Sequence, residues 1–124
     1  MEPRVLIVDD MDDSIEILEE YLKLLGTVIV GKAKNGKKAV ELYRELKPDL
    51  VLIDILMPEY DGIYAFRNIR DLDPDAKIIM ISGSYDENNE QKLLSMGALA
   101  MIYKPFNGDM IKEIVEKVRA NHKI

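Results

Sequence analysis

The chain has 124 residues, 48% of them hydrophobic and 32% charged, with a formal net charge of −6 and no cysteine. That length fits one domain spanning 1–124, able to bury roughly two thirds of the surface its unfolded chain exposes, and the composition is that of an ordinary soluble globular protein. Disulfide staples and thiolate metal sites are excluded, and the acidic balance argues against direct nucleic-acid binding, which needs a positive field over phosphates.

No apolar run approaches the roughly 20 residues that cross a bilayer, and Asp9 and Asp10 come too early for a secretion signal. The expected address is therefore the cytoplasm, with no membrane partner.

The first apolar run, 5–8, lacks polar alternation, as a strand covered on both faces does, and it ends at Asp9 and Asp10. Ile15, Leu18, Leu22 and Leu25 then recur at helical spacing, with Asp12, Asp13 or Ser14 as the expected cap and Gly26 as the stop. A short strand at 28–30 precedes a second helix carrying Ala39, Tyr43 and Leu46 and closed by Pro48. The third strand, 50–53, is the most hydrophobic of all and runs straight into Asp54, followed by Pro58 and a turn at Asp61-Gly62.

Ile63, Phe66 and Ile69 mark a third helix ending before Pro74, and the strand 78–81 runs into Ser82. A fourth helix lies around 86–96, with Leu93, Leu94 and Met96 ahead of Gly97. The strand 100–103 meets Lys104, and Ile111, Ile114, Val115 and Val118 form the last helix. Five strand–helix units in strict alternation predict an α/β fold: a doubly wound, five-stranded parallel sheet of flavodoxin-like topology, order 2-1-3-4-5, with helices on both faces.

On that frame the unusual polar residues Asp9, Asp10, Asp54, Ser82 and Lys104 all fall at carboxyl ends of strands, where open α/β sheets bind ligands. Carboxylates a few ångströms apart repel by about 3 kcal/mol per pair at an effective dielectric of about 20, so a cation is implied. Oxygen ligands without histidine or cysteine favour Mg2+. Lys104 adds a point charge for an anion, and the Ser82 hydroxyl adds a donor; together with the acids they suit phosphoryl transfer, with the central Asp54 as nucleophile.

Each piece alone has an ordinary use: an acidic pair complements a helix dipole, Asp54 starts a turn, Ser82 caps. Their shared placement in the right order is what carries chemistry.

The segments "VLIVDD", "LVLIDILMPEYDG", "MISGS" and "YKPF" resemble, in order and spacing across essentially the whole chain, the receiver domain of two-component response regulators, including its single-domain chemotaxis and phosphorelay members. The resemblance implies that Asp54 accepts a phosphoryl group from a histidine kinase or phosphotransfer protein, and that the domain catalyses its own phosphorylation and dephosphorylation. It further implies that Asp10 ligates Mg2+ directly with Asp9 acting through water, that the Leu56 carbonyl is a further ligand, and that Lys104 precedes a proline whose peptide bond is often cis.

Two positions stand out against the family. Relatives carry Tyr or Phe where this chain has Met101, which implies a weaker coupling of residue 101 to Ser82. Leu56 overhangs the acceptor and cannot position a water, which predicts slow self-dephosphorylation.

In the first helix Ile17, Tyr21 and Leu24 form a second stripe rotated by roughly 100° from the core stripe, an expected docking face for the kinase or phosphotransfer protein beside the Pro105-Phe106 loop. The family places the output partner on the face of the fourth helix, fifth strand and fifth helix, and Asp86, Asn88, Glu90 and Gln91 suit a mobile fourth helix. His122, the only histidine, is expected in a solvated tail, which makes the chain an acceptor and not a phosphohistidine donor. The seven methionines are core gap fillers and the initiator.

Two rival classes stand beside this reading. An FMN carrier needs a Ser, Thr and Gly-rich loop where this chain has "DDMDDS", and an aspartyl-phosphate hydrolase needs a second acid beside the nucleophile and a cap domain. The same sequence also suits a receiver belonging to a longer regulator.

Overall fold

The computed structural model describes residues 2–121. Five parallel strands form one sheet in the order β2-β1-β3-β4-β5. They alternate along the chain with five helices: β1 (Arg4–Val8), α1 (Asp12–Leu24), β2 (Val28–Ala33), α2 (Gly36–Leu46), β3 (Leu50–Asp54), α3 (Gly62–Leu72), β4 (Ile78–Ser82), α4 (Glu87–Ser95), β5 (Ala100–Tyr103) and α5 (Gly108–Asn121). The predicted order and alternation are those observed.

The unpatterned apolar strands are explained by two cores, one on each face of the sheet. Val5, Ile7, Leu50, Leu52, Ile79 and Ile81 meet Ile15, Leu18 and Leu22 of α1 and Ile111, Ile114, Val115 and Val118 of α5. The intervening residues Leu6, Val8, Val51, Ile53, Ile78 and Met80 turn the other way, toward Ala39 and Tyr43 of α2, Ala65, Phe66 and Ile69 of α3 and Leu93 of α4. Successive side chains on a strand point to opposite faces, so a strand covered twice needs apolar residues at every position. The central strand β3 is buried along its whole length, Asp54 included.

Local differences from the sequence reading have physical causes. Asp12, Asp13 and Ser14 do not cap α1; its N-cap is Met11, with no side-chain cap, and both acids lie inside the first turn, where they face the positive end of the helix dipole. Strand β2 runs on to Ala33, past Gly31 and Lys32, because as an edge strand it buries only part of its surface and needs no continuous apolar run. The helices α2, α3 and α4 are capped by Asn35, Asp61 and Asp86, whose side chains accept backbone N–H bonds in the first turn. His122 lies outside the described residues.

Candidate functional site

The order β2-β1-β3-β4-β5 puts the ends of β1, β3, β4 and β5 side by side, and the pairing register carries Asp54 opposite Ile81 and Ser82 opposite Tyr103. The carboxyl edge is tied together by backbone bonds that extend each ladder beyond its last strand residue. Asp9 donates to the Ala33 carbonyl at 3.0 Å, Ile55 to Ile81 at 2.9 Å and Lys104 to Ser82 at 2.9 Å. These bonds fix the first residues after each strand, which is why the polar groups there are held in place and do not drift as ordinary loop residues do.

Asp9, Asp10 and Asp54 converge: one carboxylate oxygen from each lies within 4.8 Å of the other two. Asp9 and Asp54 are buried and Asp10 is half-buried. Lys104 reaches both buried acids, its Nζ standing 3.5 Å from Asp9 Oδ2 and 3.5 Å from Asp54 Oδ2. Asp9 Oδ1 accepts from the Met11 amide at 2.9 Å, whereas Asp9 Oδ2 is buried with no hydrogen bond. A buried carboxylate oxygen without a hydrogen bond is costly, and one ammonium serves two acids here.

Burial, and then the charge of Asp9, pushes the Asp54 carboxyl up to about 6, with Lys104 opposing the rise. The site therefore carries more negative charge than its own cation neutralises. Its donors are all oxygen, which suits a hard divalent ion.

Gly62 keeps the loop after β3 folded over Asp54. Its amide donates to the Ile55 carbonyl at 2.9 Å, and a Cβ at this position would lie 2.3 Å from the Asp54 carbonyl oxygen. The sequence marks Asp61-Gly62 as a turn; the close approach to the acceptor strand is what demands glycine there. Leu56 projects outward at 74% exposure from the same loop, with Met11 (55%) also exposed beside the acidic pair in sequence. The Lys104–Pro105 peptide bond is cis.

Ser82 is buried at the end of β4, but its hydroxyl is turned to its own loop: Oγ donates to the Ser84 carbonyl at 2.8 Å and accepts from the Ser84 amide at 3.2 Å. The structure thus brings Asp9, Asp10, Asp54 and Lys104 into one cluster and leaves the Ser82 hydroxyl engaged elsewhere. Ser84 carries no sequence signal that singles it out.

Beside Lys104, a groove of about 180 Å³ is lined by Ser14, Ile17, Lys104, Pro105 and Phe106. Tyr21 meets Phe106 edge to face at 6.4 Å between ring centres. The second stripe of α1 is a surface, as its spacing suggests, with Ile17 and Leu24 exposed. On α4, Glu90 departs from expectation: it is half-buried and accepts the Tyr103 hydroxyl at 2.7 Å, so it is not a freely solvated residue of a loose helix.

A doubly wound sheet whose switch point gathers carboxylates and an ammonium, with no phosphate-cradling glycine loop after β1, defines a phosphoacceptor domain and not a flavin carrier. The chain belongs to the response regulator receiver domain family, whose model matches residues 5–116. It is 42% identical over 118 residues to the chemotaxis protein CheY of Thermotoga maritima, covering 95% of this chain and 98% of that protein. Identity to the CheY of Bacillus subtilis is 40% over 117 residues, covering 94% and 98%. Among solved structures, a complex of CheX and CheY with BeF3 and Mg2+ from Borrelia burgdorferi superposes with a TM-score of 0.89 at 34% identity, covering 93% of this chain and 87% of that one.

The function is that of the family: phosphoacceptor signalling in two-component systems. No helix among the described residues is long and apolar enough to cross a membrane.

Proposed function

We propose that Asp54 is the phosphoacceptor, that Asp9, Asp10, Asp54 and the Leu56 carbonyl hold Mg2+, and that Lys104 and Ser82 contact the transferred phosphoryl group, the whole of 1–124 working as one receiver unit in the cytoplasm. The observation that carries this reading is the under-neutralised cluster: two buried acids share one lysine at 3.5 Å each, and Asp9 Oδ2 has no hydrogen bond. Mg2+, when bound, supplies the missing positive charge and offsets developing charge on the phosphoryl oxygens. The Borrelia burgdorferi relative, with its BeF3 and Mg2+, supports the same assignment.

In the transfer, an ionised Asp54 oxygen attacks the phosphorus of a phosphohistidine, the P–N bond breaks, and its electron pair leaves with the imidazole, which takes up a proton; an acyl phosphate remains on Asp54. Lys104, already 3.5 Å from Asp54, stays paired with the resulting dianion.

The kinase or phosphotransfer protein docks over Ile17, Tyr21 and the Pro105-Phe106 loop, adjoining Lys104, so that a phosphohistidine borne on a helical partner reaches Asp54 directly. The output protein reads the face of α4, β5 and α5.

Mass analysis after incubation with Mg2+ and acetyl phosphate tests the assignment. The wild-type chain should gain one phosphoryl group and Asp54→Asn none; equal labelling of both would overturn it.

A further inference from the structure

Three steps in the chain place glycine directly after Asn or Asp: Asn35-Gly36, Asp61-Gly62 and Asn107-Gly108. At such a step the backbone nitrogen can close on the preceding side-chain carbonyl with little hindrance, because glycine has no Cβ in the way. Asn68, Asn88, Asn89 and Asn121 are each followed by a residue with a side chain.

The three steps share their local setting. Asn35, Asp61 and Asn107 stand just before α2, α3 and α5, and each side-chain oxygen accepts the amide three residues on: Lys38 at 2.8 Å, Tyr64 at 3.0 Å and Met110 at 3.0 Å. What separates them is the glycine nitrogen. Gly36 is buried and donates to the Tyr60 carbonyl at 2.5 Å, and Gly62 is buried and donates to the Ile55 carbonyl at 2.9 Å. A Cβ on either would strike backbone, at 2.5 and 2.3 Å, so both glycines are packed against main chain that holds them in place.

Gly108 is different. It is half-buried beside an exposed Asn107, and no acceptor among the described residues takes its amide. The nearest neighbour of a Cβ there would be a side chain, the Tyr21 ring at 3.3 Å.

We infer that Asn107 is a site of spontaneous deamidation, which the fold leaves open while closing the other two steps. The Gly108 nitrogen, having lost its proton to hydroxide, attacks the Asn107 Cγ. The new C–N bond closes a succinimide, the Cγ–Nδ2 bond breaks, and the side-chain nitrogen takes up a proton and leaves as ammonia. Water then opens either carbonyl of the ring, giving aspartate or isoaspartate; one water is consumed, one ammonia is released, and nothing is oxidised or reduced.

Both products carry a new negative charge. Aspartate keeps the cap, since a carboxylate oxygen accepts the Met110 amide and faces the positive end of α5. Isoaspartate routes the backbone through one more carbon and displaces Gly108 against Tyr21, whose ring meets Phe106. Resting on the docking face proposed above, the consequence is that transfer from the kinase falls as the chain ages, while acetyl phosphate still labels it.

The test ages the full folded chain at mildly alkaline pH and follows the amide-to-acid mass increase in proteolytic fragments carrying positions 35 and 107. Asn107 should convert at least about tenfold faster than Asn35, the factor for opening one buried backbone bond before the ring can close. In denaturant the two rates should converge, since both glycine amides are then free. Gly108→Ala should slow conversion of Asn107 in either state by placing a Cβ beside the attacking nitrogen. Equal conversion of Asn35 and Asn107 in the folded chain, or an Asn107 that reacts only in denaturant, would overturn the inference.

Labelling of the aged samples separates this site from the docking reading. Kinase transfer that falls with the isoaspartyl fraction in the wild type, while Asn107→Ser holds its own starting rate, supports both. Kinase transfer unchanged at full conversion refutes the docking face beside Phe106 and leaves the modification site standing.

Discussion

The two ends of the sheet treat their carboxylates in opposite ways. At the amino end Asp73 accepts the Tyr43 hydroxyl at 2.6 Å and the Asp75 amide at 2.9 Å, and Asp49 accepts the Arg4 amide at 2.8 Å. The Tyr43 hydroxyl holds the Asp73 carboxyl below the usual range. At the carboxyl end Asp54 has no such donor set; burial and Asp9 push it up to about 6. A structural carboxylate is satisfied within its own surroundings, while a working one is left short of positive charge that a ligand can bring.

Cavity size does not mark the difference. A cavity of about 370 Å³, lined in part by Tyr43, Pro48, Leu72 and Asp73, opens at the satisfied end, and the groove beside Lys104 is only about 180 Å³.

The largest effect is expected where the two cores meet the site. Gly62→Ala should destabilise the fold by about 3 kcal/mol or more, since its Cβ would fall 2.3 Å from the Asp54 carbonyl oxygen and 2.7 Å from the Ile55 Cα, both backbone atoms; denaturant melting measures it. At the satisfied end, Tyr43→Phe should cost about 2 kcal/mol by the same measurement and leave labelling by acetyl phosphate untouched. A Tyr43→Phe chain that lost labelling would erase the contrast between the ends.

Tyr21→Ala should slow transfer from a kinase about tenfold while sparing acetyl phosphate, which stopped-flow comparison of the two donors would show. Leu56→Asn should shorten the acyl phosphate lifetime about threefold, by giving the exposed position a group that can orient water; an unchanged decay rate would remove Leu56 from the account.

Much of this was legible in the sequence because both signals are periodic or positional. Strands covered on two faces cannot alternate, so 50–53 and 78–81 are plain, and polar residues that interrupt such strands at one end mark the crevice. Edge positions were harder: Gly31 and Lys32 break the apolar run of β2, yet the ladder to β1 continues through them. The α1 cap was misplaced because the Asp9 carboxylate, fixed by tertiary pairing with Ala33, takes the Met11 amide in place of a local cap. The orientation of Ser82 and the Tyr103–Glu90 pair depend on one hydroxyl rotamer and on two residues 13 apart, neither of which leaves a mark in local spacing.

Metal-free stability against pH, wild type minus Asp54→Asn, tests the central claim of an acid cluster awaiting a cation. The folded Asp54 titrates near 6 against an ordinary 3.8, so the folded state binds the extra proton more tightly. The wild type should therefore lose on the order of 3 kcal/mol relative to the variant as pH rises through that window, and Mg2+ should restore it in the wild type more than in Asp54→Asn. A difference that stays flat with pH, or Mg2+ stabilising both chains equally, would contradict it.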